Sequence, residues 1–413
     1  MKSMKSWKTS YIALLIAETL AMIGFGLSMP VIPLFLEDDI GITDPVRLKA
    51  WVGLIQSCAA VTLAIFAPIW GHLADVYSRK AMLLRSMFGG AVIISLMAFV
   101  NSPWQLLVLR GIQGCLTGTV AAATVLAAGI SPAAQMAFTL GLLQTGVSIG
   151  NSLGPLVGGL LSDFAGHRVA FFSTGLTLAL AGVIVLRFVE ENKRPPHTGE
   201  GKKFTLFPDV RPILASPMLI ALMLVTFCLQ ASANAASPML PLFLKELALR
   251  VTKEPAYIGS STGIVLGVGA AFTALAAALV GKFAGHSGYR LTLLLCLCGG
   301  ALLTLPQAFV INMPQLTVLR ALSSFFIGGC IPVVNAIIAV SSAKDRQGSI
   351  YGINSAVSST GAAVGPMIGS VAAMVSYRLV FVVSALILGL SALGVRKRSL
   401  FEGMGNKTGG TGV

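Results

Sequence analysis

The chain alternates long apolar runs with short polar ones. Stretches free of Asp, Glu, Lys and Arg include Ala50 to Ala74 (25 residues), Ser86 to Leu109 (24) and Gly111 to Ser162 (52). The last is interrupted only by the turn-like Ser131-Pro132-Ala133-Ala134-Gln135 and holds two helices. A bilayer core of ~30 Å takes about 20 apolar residues of helix. On that measure the chain divides into twelve spans, 11–36, 50–71, 81–100, 104–129, 137–161, 168–188, 217–243, 256–280, 290–311, 315–341, 348–374 and 378–395. The expected fold class is therefore all-α, a polytopic membrane protein. Basic Met1 to Lys8 precedes the first apolar run as in a signal peptide. That run is too long for a cleavable core and has no clear small-x-small site, so it is expected to stay as the first helix.

Composition agrees with the pattern. Only 11% of the 413 residues are charged, 55% are hydrophobic and mean hydropathy is +0.85, against about 25% charged in a typical soluble protein. So few charges cannot cover a water-soluble surface of this size. The net charge of +14 does not point to nucleic acid, because the basic residues are scattered between apolar stretches and form no patch. With the amino terminus in the cytoplasm, 20 of the 29 Lys and Arg fall on the cytoplasmic side. The positive-inside rule then places both termini there. The six cysteines sit in apolar stretches without CxxC or metal spacing, so neither a disulfide framework, a metal nor a cofactor is expected.

Self-comparison shows a repeat. Gln105-Leu106-Leu107-Val108-Leu109-Arg110 recurs as Gln315-Leu316-Thr317-Val318-Leu319-Arg320, an offset of 210. Gly71 through Lys80 recurs in altered form as Gly281 through Arg290, again at 210. Gly150, Gly154, Pro155 and Gly158 return as Gly361, Gly365, Pro366 and Gly369, and Pro30 to Leu36 returns as Pro238 to Leu244. Each copy carries six helices, an even number, so both enter the membrane from one side and are related by a pseudo-two-fold axis along its normal. The expected organisation is a six-helix bundle over 1–189, a cytoplasmic linker over 190–212, a second bundle over 213–395 and a tail over 396–413. Paired bundles around a polar cavity are a transporter architecture.

Three motifs carry a family resemblance. Gly71-His72-Leu73-Ala74-Asp75-Val76-Tyr77-Ser78-Arg79-Lys80 resembles G-x-L-A-D-R-x-G-R-[RK] between the second and third helices of the major facilitator superfamily, with Val76 and Ser78 departing from it. Arg110, Gln113 and Gly114 resemble R-x-x-Q-G of the fourth helix. Gly150-Asn151-Ser152-Leu153-Gly154-Pro155-Leu156-Val157-Gly158-Gly159 matches G-x-x-x-G-P-x-x-G-G of the fifth in full. That motif marks the antiporter branch, and with twelve helices the chain is similar to drug:proton antiporters. The resemblance implies proton-coupled efflux of lipophilic small molecules by a monomer in a bacterial cytoplasmic membrane. It also implies a conformational gate at Gly71, Asp75, Arg79 and Lys80, and a bearing of Arg110 on proton movement. Glycines in the fifth and eleventh spans suit close backbone approach at the interface of the halves.

Glu18 is the one acid deep in a span, eight residues or ~12 Å from its start. An unpaired carboxylate is costly there, which makes Glu18 the first choice for proton coupling, against a merely polar residue at the cavity mouth. The amides Gln113, Gln144, Gln230, Asn234, Asn335 and Asn354, with Met22 and Phe25, are candidates for lining the cavity. Packing between helices is the alternative for each.

Other classes are disfavoured. No G-x-x-x-x-G-K-[ST] occurs, so ATP does not drive the process. Gly146-Val147-Ser148-Ile149-Gly150 satisfies G-x-S-x-G, yet it lies within a helix, whereas a nucleophile elbow needs a strand before the serine. The four histidines, His72, His167, His197 and His286, are expected in loops, leaving no buried base. An enzyme is not expected. The rival within transporters is a facilitator or symporter for a sugar or other metabolite.

Overall fold

The computed structural model describes residues 2–76, 78–191, 216–250, 257–341 and 347–396, without side chains at 2–6, 71, 72, 74–76, 133, 137, 281–287 and 347–349. The expected linker beyond Glu191 and tail beyond Arg396 thus lie outside the described residues. Fifteen α-helices follow one another with no strand among those residues: α1 (Lys2–Leu27), α2 (Val31–Asp38), α3 (Pro45–Val76), α4 (Arg79–Met97), α5 (Pro103–Leu116), α6 (Thr119–Ile130), α7 (Met136–Ala165) and α8 (His167–Phe188), then α9 (Pro217–Ala236), α10 (Leu240–Leu249), α11 (Ile258–Ser287), α12 (Tyr289–Thr304), α13 (Met313–Ser341), α14 (Gln347–Val375) and α15 (Tyr377–Val395).

Among the described residues, eleven helical segments are long and apolar enough to cross a membrane. The remaining expected span, 137–161, is the 30-residue α7, where Gln144, Ser148, Asn151, Ser152 and six glycines dilute the apolar character. Leu302, Phe138 and Val375 are 71%, 70% and 79% exposed, the outward-facing apolar surface that lipid rather than water solvates.

Several spans are not single helices. The first breaks between α1 and α2 at Ser28-Met29-Pro30, and the seventh between α9 and α10 at Ser237-Pro238-Met239. Proline supplies no N–H to the ladder, and Pro30 and Pro238 occupy equivalent repeat positions. The fourth span, expected as one helix, is two. Gly118 between α5 and α6 takes φ +123°, a conformation open to glycine and strained for other residues. Its counterpart α13 runs unbroken through Pro332. His72 and His286, expected in loops, lie within α3 and α11, and His167 opens α8.

The contacts group into two compact units, Met1–Phe204 with Leu240–Gly267, and Thr205–Met239 with Val268–Val413. Within the first, α1 packs on α7 and α8, α4 on α8 and α3 on α5. Phe35 meets Phe171 edge-on at 5.2 Å between ring centroids, and Tyr11 Oη donates to the carbonyl of Thr139 at 2.6 Å. Within the second, α9 packs on α14 and α15, and α12 on α13 and α15, around Leu222, Leu229, Leu297, Ile337 and Leu388. The pairings α1 with α7 and α8, and α4 with α8, recur as α9 with α14 and α15, and α12 with α15.

Candidate functional site

Glu18 sits on α1 with no exposed surface, and neither carboxylate oxygen has a hydrogen-bond partner among the described residues. Removing an ionised carboxylate from water without pairing it costs several kcal/mol at least. Arg110 is also buried, at 7% exposure. Its Nη1 donates to Gln113 Oε1 at 3.0 Å, one helical turn on, and its Nε has no partner among the described residues. The repeat partner Arg320 instead donates from Nη2 to Ser237 Oγ at 3.1 Å, at the break after α9. Two arginines at equivalent positions are thus satisfied differently, one along its own helix and one across to another.

The four gate candidates divide. Gly71 and Asp75 fall in the last turns of α3, not in the expected turn, and their side chains are outside the described residues. Arg79 and Lys80 open α4. Ser78, which departs from the family pattern, caps that helix: its Oγ accepts from Ala81 N–H at 3.0 Å and donates to Glu191 Oε2 at 2.5 Å. Glu191 also accepts from the backbone N–H groups of Arg79 (2.9 Å) and Lys80 (3.2 Å). Lys80 Nζ donates to the carbonyls of Leu186 (3.0 Å) and Val189 (2.6 Å) at the end of α8. An acid on a helix N-terminus and a base on a C-terminus both oppose the helix dipoles. Sequence reasoning passed over Glu191 because it stands at the edge of the expected linker.

The antiporter motif is a two-sided packing surface. On one side, a Cβ on Gly150 would stand 2.5 Å from Met22 Cβ, one on Gly154 2.6 Å from Gly26 Cα, and one on Gly158 2.1 Å from the Leu27 carbonyl oxygen. These three therefore seat α7 directly on the backbone of α1. Met22 is thereby placed against Gly150. On the other side α7 meets the start of α11: Cβ atoms on Gly259, Gly263 and Gly267 would fall 2.7, 2.3 and 2.6 Å from the carbonyl oxygens of Gly159, Pro155 and Ser152. The spacing of four among Gly259, Gly263 and Gly267 was a legible small-residue stripe that sequence reasoning did not use. Asp163 completes this contact, accepting from Gly259 N–H at 2.9 Å with Oδ1, and from Ser260 N–H at 2.7 Å and Ser260 Oγ at 2.5 Å with Oδ2. A carboxylate from one helix thus caps the N-terminus of another. Nearby in the same unit, Lys245 Nζ lies 3.0 Å from both Glu37 and Asp38.

In the second unit the eleventh-span glycines repeat the first arrangement, with Gly361, Gly365 and Gly369 against the carbonyl oxygens of Phe227, Ala231 and Ala235 on α9. Beside them α9, α13 and α14 enclose a cavity of about 280 Å³. Gln230, Asn335 and Asn354 line it with Thr226, Tyr351 and Ser358. Asn234 bonds back to the carbonyl of Gln230 at 2.8 Å and does not line this cavity, nor do Phe25, Gln113 and Gln144 of the first unit. Phe25 packs near Gly90, Gln113 holds Arg110, and Gln144 is exposed.

The model of the major facilitator superfamily matches residues 14–306 and 256–403. The chain belongs to this family. A major facilitator of this architecture is a secondary transporter and not an enzyme, and the chain is an integral membrane protein with a small-molecule substrate. It is 34% identical over 391 residues to the multidrug resistance protein MdtG of Enterobacter lignolyticus, covering 94% of this chain and 91% of that one. Against MdtG of Salmonella paratyphi A identity is 32% over 404 residues, covering 96% and 97%. Among solved structures, the nucleoside transporter NupG aligns with TM-score 0.77 at 14% identity over 95% of this chain and 99% of its own. A bacterial homologue of the lysosomal transporter Spinster, inward-facing and occupied, gives 0.77 at 14% over 93% and 95%. At such identities these two speak for the major facilitator fold alone.

Proposed function

We propose that the protein exports lipophilic small molecules from a bacterial cell in exchange for protons, by alternating access between two six-helix bundles, 1–189 and 213–395, joined by the cytoplasmic linker 190–212. In this reading the chain works as a monomer in the cytoplasmic membrane, surrounded by lipid and with both termini inside. Glu18 carries the proton and Arg110 sets its release, while the segment from Gly71 to Lys80, the end of α3 and the start of α4, gates the cytoplasmic side. The observation that carries the proposal is the unpartnered carboxyl of Glu18 at zero exposure. Such a group is held at least cost with its proton on, and gives it up when hydration or a cation reaches it. The identity to MdtG proteins, whose name is multidrug resistance protein, supports the outward direction.

One proton crossing ~100 mV supplies about 2.3 kcal/mol, and each pH unit a further ~1.4 kcal/mol. Together these support a substrate ratio of several hundredfold. The test is uptake of tetraphenylphosphonium and chloramphenicol by everted vesicles under an imposed pH gradient, with the parent and Glu18→Gln. The parent is expected to accumulate at least one probe in response to the gradient, and Glu18→Gln to lose that response while still exchanging substrate down its own gradient. Equal gradient-driven uptake by both removes Glu18 from the mechanism. Uptake of neither probe favours the second reading, a facilitator or symporter for a neutral metabolite, which the uncharged lining of the cavity among α9, α13 and α14 also suits.

A further inference from the structure

The cavity in the second unit is polar without being charged. Among the described residues that line it there is no Asp, Glu, Lys, Arg or His. Its hydrogen-bonding groups are partly spent: the Thr226 hydroxyl shares its one hydrogen between the Leu222 carbonyl at 3.0 Å and Asn354 Oδ1 at 2.9 Å, Gln230 Nε2 donates to Ser358 Oγ at 2.9 Å, and Tyr351 Oη to the Asn335 carbonyl at 2.8 Å. What remains is specific. Asn354 keeps its two amide N–H donors, Gln230 keeps its amide oxygen, and the side-chain amide of Asn335 has both functions open among the described residues. The aliphatic part of the lining is Leu229, Ile331 and Val334, of which Ile331 is 49% exposed.

We propose that this cavity is a binding subsite for an uncharged group that both donates and accepts hydrogen bonds, such as an amide or a hydroxyl, attached to an apolar body. It therefore selects neutral amphiphiles over permanent cations. The inference rests on the export reading for its role in transport, but not for its binding chemistry. A site built to satisfy donors and acceptors penalises a ligand that leaves its amides unpaired. A permanent cation brought into the same space meets no opposite charge to repay the water it gives up. The aliphatic part of the lining rewards the rest of the ligand by burial. At about 280 Å³ the chamber is at the small end of drug-sized pockets, enough for the polar end of such a molecule.

The experiment is equilibrium dialysis of the purified full-length protein against labelled chloramphenicol, a neutral molecule with an amide and two hydroxyls, and tetraphenylphosphonium, a cation without hydrogen-bonding groups. The parent is expected to bind chloramphenicol. Asn335→Leu and Asn354→Leu are each expected to lower the ratio of chloramphenicol to tetraphenylphosphonium affinity by about fivefold to tenfold, the worth of one lost hydrogen bond. Asn335→Asp is expected to move the ratio further by raising tetraphenylphosphonium affinity, a gain that misfolding cannot produce. An unchanged ratio in all three variants overturns the proposal, as does a parent that fails to bind chloramphenicol. Dialysis needs no pH gradient, so the two ideas fail separately. Selective binding without proton-driven uptake would remove the exchange reading and leave the subsite standing.

Discussion

Gly159 of α7 and Gly259 of α11 meet backbone to backbone. A Cβ on Gly159 would stand 2.1 Å from the Gly259 carbonyl oxygen, and one on Gly259 2.7 Å from both the Gly159 carbonyl oxygen and Asp163 Oδ1. Neither side can yield by turning a flexible side chain, since the obstacles are backbone atoms and a carboxylate already bound to two backbone N–H groups. The contact joins a family motif to a stripe of glycines outside it.

Gly159→Ala should therefore destabilise the protein. Adding a methyl inside a helix ordinarily gains up to about 1 kcal/mol over glycine, but overpacking of this kind costs about 1–3 kcal/mol, and here the clash prevails. Gly141 on the same helix has nothing within 4 Å of its Cβ position, so Gly141→Ala serves as the control. Thermal unfolding in detergent should show a lower Tm for Gly159→Ala and a Tm at or above the parent's for Gly141→Ala. A matching rise in both would show that the glycine contact does not bind α7 to α11.

Asp163→Ala removes the acceptor for Gly259 N–H, Ser260 N–H and Ser260 Oγ at once. Losing a cap costs about 0.5–2 kcal/mol, concentrated at the start of α11. Hydrogen exchange of the peptide spanning 257–262 should accelerate about twofold to thirtyfold on that energy, while peptides from α4 and α8 keep the parent's rates. Unaltered exchange over 257–262 would mean that the first turn of α11 holds without the carboxylate.

Lys245 pairs with Glu37 and Asp38 together, at 3.0 Å to each, its side chain 25% exposed. Lys245→Glu places like charges in contact and should lower the Tm, with most of the loss, on the order of 1 kcal/mol, restored when Glu37→Lys and Asp38→Lys are added. High salt should shrink the difference between Lys245→Glu and the parent. Failure of the reversed set to recover stability would assign the effect to packing of the lysine stem.

Arg110→Met is expected to separate stability from function. The guanidinium is buried, with its Nε unpartnered among the described residues and a single amide on Nη1. Replacing a poorly compensated buried charge by an apolar side chain of similar length is neutral or stabilising. The Tm should hold or rise while gradient-driven uptake in everted vesicles falls at least about tenfold, a barrier increase of ~1.4 kcal/mol. Parent-like uptake would remove Arg110 from proton movement.

The sequence by itself determined the spans, because a bilayer of one thickness demands apolar runs of one length, and no tertiary contact is needed to read them. It determined the repeat and the antiporter motif, which are matters of order and spacing. The breaks at Pro30 and Pro238 have a local contributor in residues that lack an N–H, yet α13 runs unbroken through Pro332, so proline alone did not place them. Tertiary structure decided the rest. Asp163 caps α11 and Glu191 caps α4, while Glu18 has no hydrogen-bond partner among the described residues. Each outcome depends on which backbones approach from parts of the chain far apart in sequence. The φ of +123° at Gly118 was likewise invisible among so many helical glycines. A carboxylate carries the same letter whether it caps a helix, pairs with lysine or stands alone in an apolar core. Only the surrounding atoms decide what its charge costs.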